Sequence, residues 1–132
     1  MATETSLGPI DIAISGMKSH DRSISAIVSN VANYQTTDAG NGEPYRRIEA
    51  KLKAMDNGGV EVDELTEDMS DFKTLFKPGH PNADPNGYVR MPNVDLPTAM
   101  INLTTATRAY QANAAVLKRY QQIVENTLEL LR

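Results

Sequence analysis

The stretch LPTAMINLTTATRAYQANAAVLKRYQQIVENTLELLR, residues 96–132, decides the fold. Its apolar side chains recur at alternating steps of three and four residues, which places them on one face of an α-helix. This C-terminal seam consists of Leu96, Met100, Leu103, Thr107, Tyr110, Ala114, Leu117, Gln121, Val124, Leu128 and Leu131. A second stripe beside it consists of Ala109, Val116, Ile123 and Leu130. The pattern predicts one long helix with two apolar flanks, capped by Asp95 and with Pro97 in its first turn.

Residues 9–33 carry a shorter seam of the same kind. This N-terminal seam consists of Ile10, Ile14, Met17, Ile24, Val28 and Val31, with Asp21 at the remaining place in the series. Pro9 suits a first helical turn, and Gly16 allows another helix to approach closely. If the two helices pair, the C-terminal helix extends about three turns past its partner. The end of its seam then needs a partner on another subunit, so both seams are predicted to serve assembly.

The residues between the two helices show a different periodicity. Ile48, Ala50, Leu52 and Ala54 alternate with charged residues, which is typical of a strand with one buried face. Turn residues at 56–59 are followed by Val60 and Val62, which predicts a β-hairpin, and residues 72–76 and 88–91 are candidate short strands.

The predicted fold class is α+β, with long terminal helices forming a coiled-coil-like antiparallel pair around a small β-rich insert. Residues 1–37 hold the N-terminal helix, residues 38–94 the insert and residues 95–132 the C-terminal helix. The two helices together are predicted to form one assembly domain.

Composition narrows the possible functions of these 132 residues. The net charge is −4 and cysteine is absent, which excludes a global basic field for nucleic acid, disulfides and thiol chemistry. His20 and His80 are the two histidines and lack companions at metal-ligand spacing, so no metal or cofactor is predicted. His80, between Gly79 and Pro81, is expected to fix a turn by hydrogen bonding. An acidic run comprises Glu61, Asp63, Glu64, Glu67, Asp68 and Asp71. This run is interpreted as a solvated strand edge. No catalytic residue is predicted.

The first residues, MATETS, contain an acid and no positively charged region. No apolar stretch long enough for a signal sequence or a membrane span follows them. The sequence therefore predicts neither a cleaved signal peptide nor direct insertion into a membrane.

Three short motifs resemble those of the flagellar axial proteins, the family that builds the rod and hook. The segment SNVANYQTT, residues 29–37, resembles the signature that closes their N-terminal helix; its family positions are Ser29, Asn30, Ala32, Asn33 and Thr36. AISGM at 13–17 resembles the element that precedes it, although Ser19-His20 stands where the family usually has Ala-Gln. RAYQAN at 108–113, with Arg108 and Asn113, resembles the family's C-terminal helix.

The insert resembles the proximal-rod branch of that family. The matching block is PGHP at 78–81, followed by GYV at 87–89 and MPNV at 91–94. Its motif residues are Gly79, His80, Pro81, Gly87, Tyr88, Met91, Pro92 and Asn93.

The resemblance implies a structural subunit of the flagellar rod that polymerises with its own copies and with other rod proteins. It further implies export by the flagellar type III apparatus without a cleaved signal, a place in the periplasm-spanning basal body, and no nucleic-acid partner. Three alternatives stay open: a different rod or hook component, a soluble helical adaptor or chaperone, and a small enzyme or binding domain that uses His80 and the acidic run.

Overall fold

Two terminal helices enclose four short strands in a computed structural model, which describes residues 7–132. The elements are α1 (Pro9–Ala32), β1 (Ile48–Ala54), β2 (Val60–Glu67), β3 (Lys73–Phe76), β4 (Tyr88–Met91) and α2 (Leu96–Leu130). Helices at both ends of a small antiparallel β-rich insert are confirmed. Neither helix is long and apolar enough to span a membrane. The expectation for the first residues, MATETS, lies outside the described part of the chain.

The ends of both helices follow from local chemistry. α1 begins after Gly8 with a proline in its first turn, and Asn33 is its C-cap. At the start of α2, Asp95 accepts hydrogen bonds from the backbone N–H of Thr98, at 3.3 Å, and from the Thr98 hydroxyl. The hydrogen bond from the Thr98 side chain is the main cause of a lowered pKa at Asp95. The predicted N-cap is therefore confirmed.

Each pair of consecutive strands forms its own two-stranded antiparallel sheet. β1 pairs with β2 from Ile48 opposite Glu67 to Ala54 opposite Val60, as the predicted hairpin requires. β3 pairs with β4, and Phe76 lies edge-on to Tyr88 with ring centroids 5.3 Å apart. Gly58 in the hairpin turn has a φ of +94°, which a residue without a Cβ adopts readily.

The apolar face of the hairpin is covered along only part of its length. Ile48 and Ala50 are half-buried, whereas Leu52 is 44% exposed. The pairing register shifts between Lys51 and Leu52, and such an irregularity increases the local twist of a strand. The alternation predicts a buried face along the whole strand, and this expectation fails beyond the shift.

α1 and α2 pack against each other and run in opposite directions. A Cβ built on Gly16 would lie 2.7 Å from Nδ2 of Asn113, while Ile27 of α1 and Ala99 of α2 line the same cleft. The most deeply buried helix residues are mostly small: Ala13, Gly16, Ser19, Ala26 and Asn30 in α1, and Ala99 and Ala106 in α2. Small side chains at a contact allow helix axes to come close.

The last turns of α2 extend past α1. Because Gly16 lies against Asn113, the start of α1 at Pro9 lies near residue 120 of α2. Residues 121–130, here called the overhang, continue for about 15 Å at about 1.5 Å per residue. Every residue of the overhang is exposed.

Gly16→Val is expected to destabilise the chain by about 1–3 kcal/mol, because extra volume at a tight contact forces neighbouring groups to move. The group in the way is the Asn113 amide, whose Cγ is 3.2 Å from the Cβ position at Gly16. Adding Asn113→Ala should recover most of the loss. Urea unfolding followed by circular dichroism measures both variants. Equal stability of the single and double variants would show that this contact does not limit the space at Gly16.

Candidate functional site

Asn30, at the end of α1, holds the first strand of the insert. Its Nδ2 donates to the carbonyl of Ile48 at 2.8 Å, and its Oδ1 accepts from the backbone N–H of Ile48 at 2.9 Å. The hydroxyl of Tyr45 donates to the same Oδ1 at 2.9 Å. Asn30 is only 3% exposed. The Asn30 side chain thus occupies the open edge of β1 and bonds both backbone groups of Ile48, as a further strand would.

The rest of the SNVANYQTT motif shapes the exit from α1. Nδ2 of Asn33 donates to the carbonyl of Ser29 at 2.9 Å, and the hydroxyl of Thr36 donates to Oδ1 of Asn33 at 3.1 Å. The backbone N–H of Tyr45 reaches the carbonyl of Thr36 at 3.0 Å, and the hydroxyls of Tyr45 and Ser29 share a hydrogen bond. We call Ser29, Asn30, Asn33, Thr36 and Tyr45 the exit network. Ala32 ends the helix and is exposed.

The AISGM motif contacts the β1–β2 hairpin through Ser15 and helix α2 through Gly16. Oγ of Ser15 accepts from the backbone N–H of Val60 at 3.1 Å, so it holds the hairpin, while Gly16 makes room for α2. Ser19 adds a hydrogen bond from its hydroxyl to the carbonyl of Val60 at 3.1 Å. This residue is one of the two that depart from the family pattern, and an alanine there could not make this bond.

Asn93 closes the insert before α2 begins. Its Oδ1 accepts from the backbone N–H of Arg47 at 2.8 Å, and its Nδ2 donates to the carbonyl of Asp68 at 2.8 Å. Nε of Arg47 lies 3.0 Å from Oδ2 of Asp68. Asn93 therefore ties the segment leading into α2 to the residue before β1 and the residue after β2.

Acid is expected to weaken the Arg47–Asp68 contact. The backbone N–H of Ser70 and its side chain, together with Arg47, lower the pKa of Asp68. A carboxyl group whose pKa is lowered by folding adds stability above its unfolded pKa, about 3.9, and loses that contribution as the pH falls through the folded value. Asp68→Asn should be less stable than the parent by about 0.5–1 kcal/mol at pH 7, and this difference should shrink as the pH falls below the unfolded pKa toward pH 3.

Urea titrations between pH 7 and pH 3 measure that convergence. Glu61→Gln is a suitable control, because Glu61 is exposed on the same hairpin and makes no ion pair within residues 7–132. A constant difference across this pH range would contradict the proposed role of the Asp68 carboxylate.

The PGHP loop docks onto the end of the N-terminal motif. Nδ1 of His80 accepts from the backbone N–H of Asn82 at 3.0 Å, which confirms that this histidine fixes a turn. Nδ2 of Asn82 then donates to the hydroxyl of Thr37 at 2.8 Å. Gly79 and Pro81 lie exposed on this loop.

Gly87 lies at the end of the same loop, and its backbone requires glycine. Its φ is +86°, and a Cβ there would stand 2.9 Å from the ring of Phe76. The adjacent Tyr88 is 47% exposed, whereas Pro92 is buried and Met91 half-buried.

The predicted seams lie partly inside the molecule and partly on its surface. Half-buried members are Ile10, Ile14, Met17, Ile24 and Val31 in α1, and Leu103, Tyr110 and Leu117 in α2. Exposed members are Val28 (49%), Met100 (48%), Val124 (42%), Leu128 (60%) and Leu131 (80%). Arg108 is exposed, and Asn113 is half-buried over Gly16. The chain therefore leaves apolar faces open on both helices.

Sequence reasoning did not assign roles to Ser15, Ser19 and Tyr45. A serine inside a helix is unfavourable unless its hydroxyl finds a partner. The presence of Ser15 and Ser19 inside the predicted helix was therefore the signal that could have indicated these contacts. Among residues 7–132, no group of three or more histidine, cysteine or acidic side chains is arranged to hold a metal ion.

Each polar network above joins one backbone segment to another. Residues 86–130 match the family model described as flagellar basal body rod FlgEFG protein C-terminal. The flagellar basal-body rod protein FlgC of Yersinia enterocolitica is 36% identical over 129 residues, covering 94% of this chain and 96% of that protein. FlgC of Aquifex aeolicus is 34% identical (91% and 92% covered), and FlgC of Borreliella burgdorferi is 30% identical (93% and 95% covered).

The chain belongs to the FlgC family of flagellar basal-body rod proteins. It is a structural subunit of the proximal rod and not an enzyme. It is located in the rod of the flagellar basal body, where it assembles with other rod components.

Proposed function

We propose that this rod subunit polymerises through α1 and α2, paired in coiled-coil fashion, into a tube that crosses the periplasm and transmits torque. One observation carries the proposal. The overhang of α2 continues the face that packs on α1, and its apolar side chains Val124 and Leu128 remain 42% and 60% exposed. A contact between two different surfaces of identical subunits does not close on itself and generates a filament.

The size of these exposed faces fits assembly on a growing rod. Burying one Val or Leu side chain contributes about 1.5–3 kcal/mol, whereas association costs about 4–15 kcal/mol in lost freedom of motion. One overhang alone therefore gives weak pairing in dilute solution. Several faces engaged at once, as at the end of a rod, give a stable contact.

We also propose export by the flagellar type III apparatus, in unfolded form and without a cleaved signal. The buried apolar residues among those described are Ala13, Ala26, Pro44, Val89, Pro92, Ala99 and Ala106. Since no leucine, isoleucine, methionine, phenylalanine or tyrosine is fully buried within residues 7–132, little apolar burial opposes unfolding before export. Its partners are copies of itself, other rod proteins and the export apparatus, with neither nucleic acid nor membrane insertion involved.

Purified basal bodies test both proposals. Mass spectrometry should detect this chain in the rod fraction with its N-terminus intact, apart from removal of the initiator methionine. A strain that produces only residues 1–120 should lack complete rods. Complete rods in that strain would contradict assembly through the overhang, and a shortened N-terminus would contradict export without cleavage.

A further inference from the structure

Two heptad-spaced faces of equal length lie on opposite helices of the chain. The N-terminal seam runs from Ile10 to Val31 of α1, and the second stripe runs from Ala109 to Leu130 of α2. Each spans about 32 Å at about 1.5 Å per residue. Val116, Ile123 and Leu130 of the stripe are 53%, 54% and 86% exposed. They lie about a third of a turn round α2 from the face that meets α1.

Each face contains one charged position. Asp21 occupies the vacant place in the N-terminal seam, and Arg119 lies beside the second stripe, on the same side of α2, between the levels of Val116 and Ile123. Both side chains are exposed, and neither forms an ion pair within residues 7–132. A lone charge at a seam position disfavours every register that leaves it against an apolar neighbour.

We propose that the N-terminal seam of one copy packs antiparallel against the second stripe of a second copy, in the single register that pairs Asp21 with Arg119. The proposal rests on the assembly function proposed above and specifies its surfaces. In a filament whose copies share one orientation, α1 of one copy and α2 of its neighbour run in opposite directions, as they do within each copy.

In that register the two faces keep the same spacing along their whole length. The facing positions are Ile10 with Leu130, Ile14 with Asn126, Met17 with Ile123, Asp21 with Arg119, Ile24 with Val116, Val28 with Ala112, and Val31 with Ala109. The steps of three and four residues coincide at every layer, as knobs-into-holes packing requires. A slip of one heptad would place Asp21 opposite Ala112 or Asn126 and leave both charges unpaired.

The proposed register differs from the one inside a single copy. Gly16 lies against Asn113 within the chain, so Ile24 lies near residue 105 and about 16 Å from the level of Val116. A disulfide needs Cα atoms within about 7 Å. Cysteines at positions 24 and 116 of one chain therefore cannot bond to each other, and any bond between them joins two copies.

Cysteine cross-linking in assembled rods tests the register, because the natural chain has no cysteine. A chain carrying Ile24→Cys and Val116→Cys should give covalent dimers and longer ladders after mild oxidation of purified basal bodies. Ile24→Cys with Ile123→Cys is the matched control, since it uses the same faces one heptad out of register. Equal ladders from both pairs, or a ladder from the control alone, would overturn the proposal.

Charge exchange provides a second test if the cysteine chains do not assemble. Asp21→Arg and Arg119→Asp should each abolish swimming, and the chain carrying both changes should restore it. Thermal unfolding of the monomers should stay unchanged, because both side chains are exposed. Single variants that still swim, or a double variant that does not swim, would overturn the pairing. Wild-type basal bodies that lack this chain would instead contradict the proposed function itself.

Discussion

Val124→Asp is expected to prevent this subunit from entering the rod while the monomer stays folded. Val124 lies in the overhang, beyond the end of α1, and is 42% exposed. A carboxylate there should change the free energy of unfolding of the monomer by less than about 0.5 kcal/mol. In the proposed rod contact the same carboxylate is buried without a partner, at a cost of several kcal/mol. Incorporation into rods should fall at least about 100-fold, which is about 2.7 kcal/mol.

Swimming assays and the amount of this chain in purified basal bodies measure the effect. Gln122→Asp is the matched control, because it adds the same charge two residues away at an exposed polar position. Leu117→Asp is a poorer test, since Leu117 is half-buried on the part of α2 that lies beside α1, and its change should also disturb the monomer. Normal swimming of Val124→Asp, or an equal defect in Gln122→Asp, would contradict assembly through the overhang.

The secondary structure follows from local sequence patterns. Asp95 and Pro97 mark the start of α2, and the alternation from Ile48 to Ala54 coincides with β1. Such signals depend on neighbours a few residues apart, and the sequence displays them directly. The resemblance of three motifs to flagellar axial proteins supplied the family, which periodicity alone does not contain.

The periodicity of the sequence did not show which face of α1 is the most deeply buried. Large apolar residues such as Val28 favour one face of α1, yet the buried residues Gly16, Ser19 and Ala26 lie on another. Small residues give weak hydrophobic signals, but they let two backbones come close. The bulky face then stays partly open, which is consistent with a subunit that has further partners.

The polar contacts between α1 and the hairpin were also beyond sequence reasoning. Ser15 and Val60 are 45 residues apart, and Asn30 and Ile48 are 18 apart. No local pattern predicts which backbone group a helix side chain will meet at that separation. The sequence marks Asn30 only as a position of the SNVANYQTT motif, whereas in the structure its amide pairs with β1.

Asn30→Ala is expected to cost about 3 kcal/mol or more in stability, a large share of the 5–15 kcal/mol that holds a typical domain. The change removes three hydrogen bonds, two to the backbone of Ile48 and one from the hydroxyl of Tyr45. The groups left behind are partly buried, and an unpaired polar group in such a site costs about 1–3 kcal/mol. The melting temperature should fall by about 10 °C.

Asn102→Ala is the matched control, because Asn102 is exposed on α2 and alanine is the better helix former. Its melting temperature should stay within a few degrees of the parent or rise. Equal effects of the two substitutions would show that Asn30 does not hold the insert. If Asn30→Ala loosens β1 and leaves both helices intact, hydrogen exchange should speed up at Ile48 and Ala50 before it does in α1. The exit network would then be the joint that sets the position of the insert on the helices, separate from the faces through which the subunits associate.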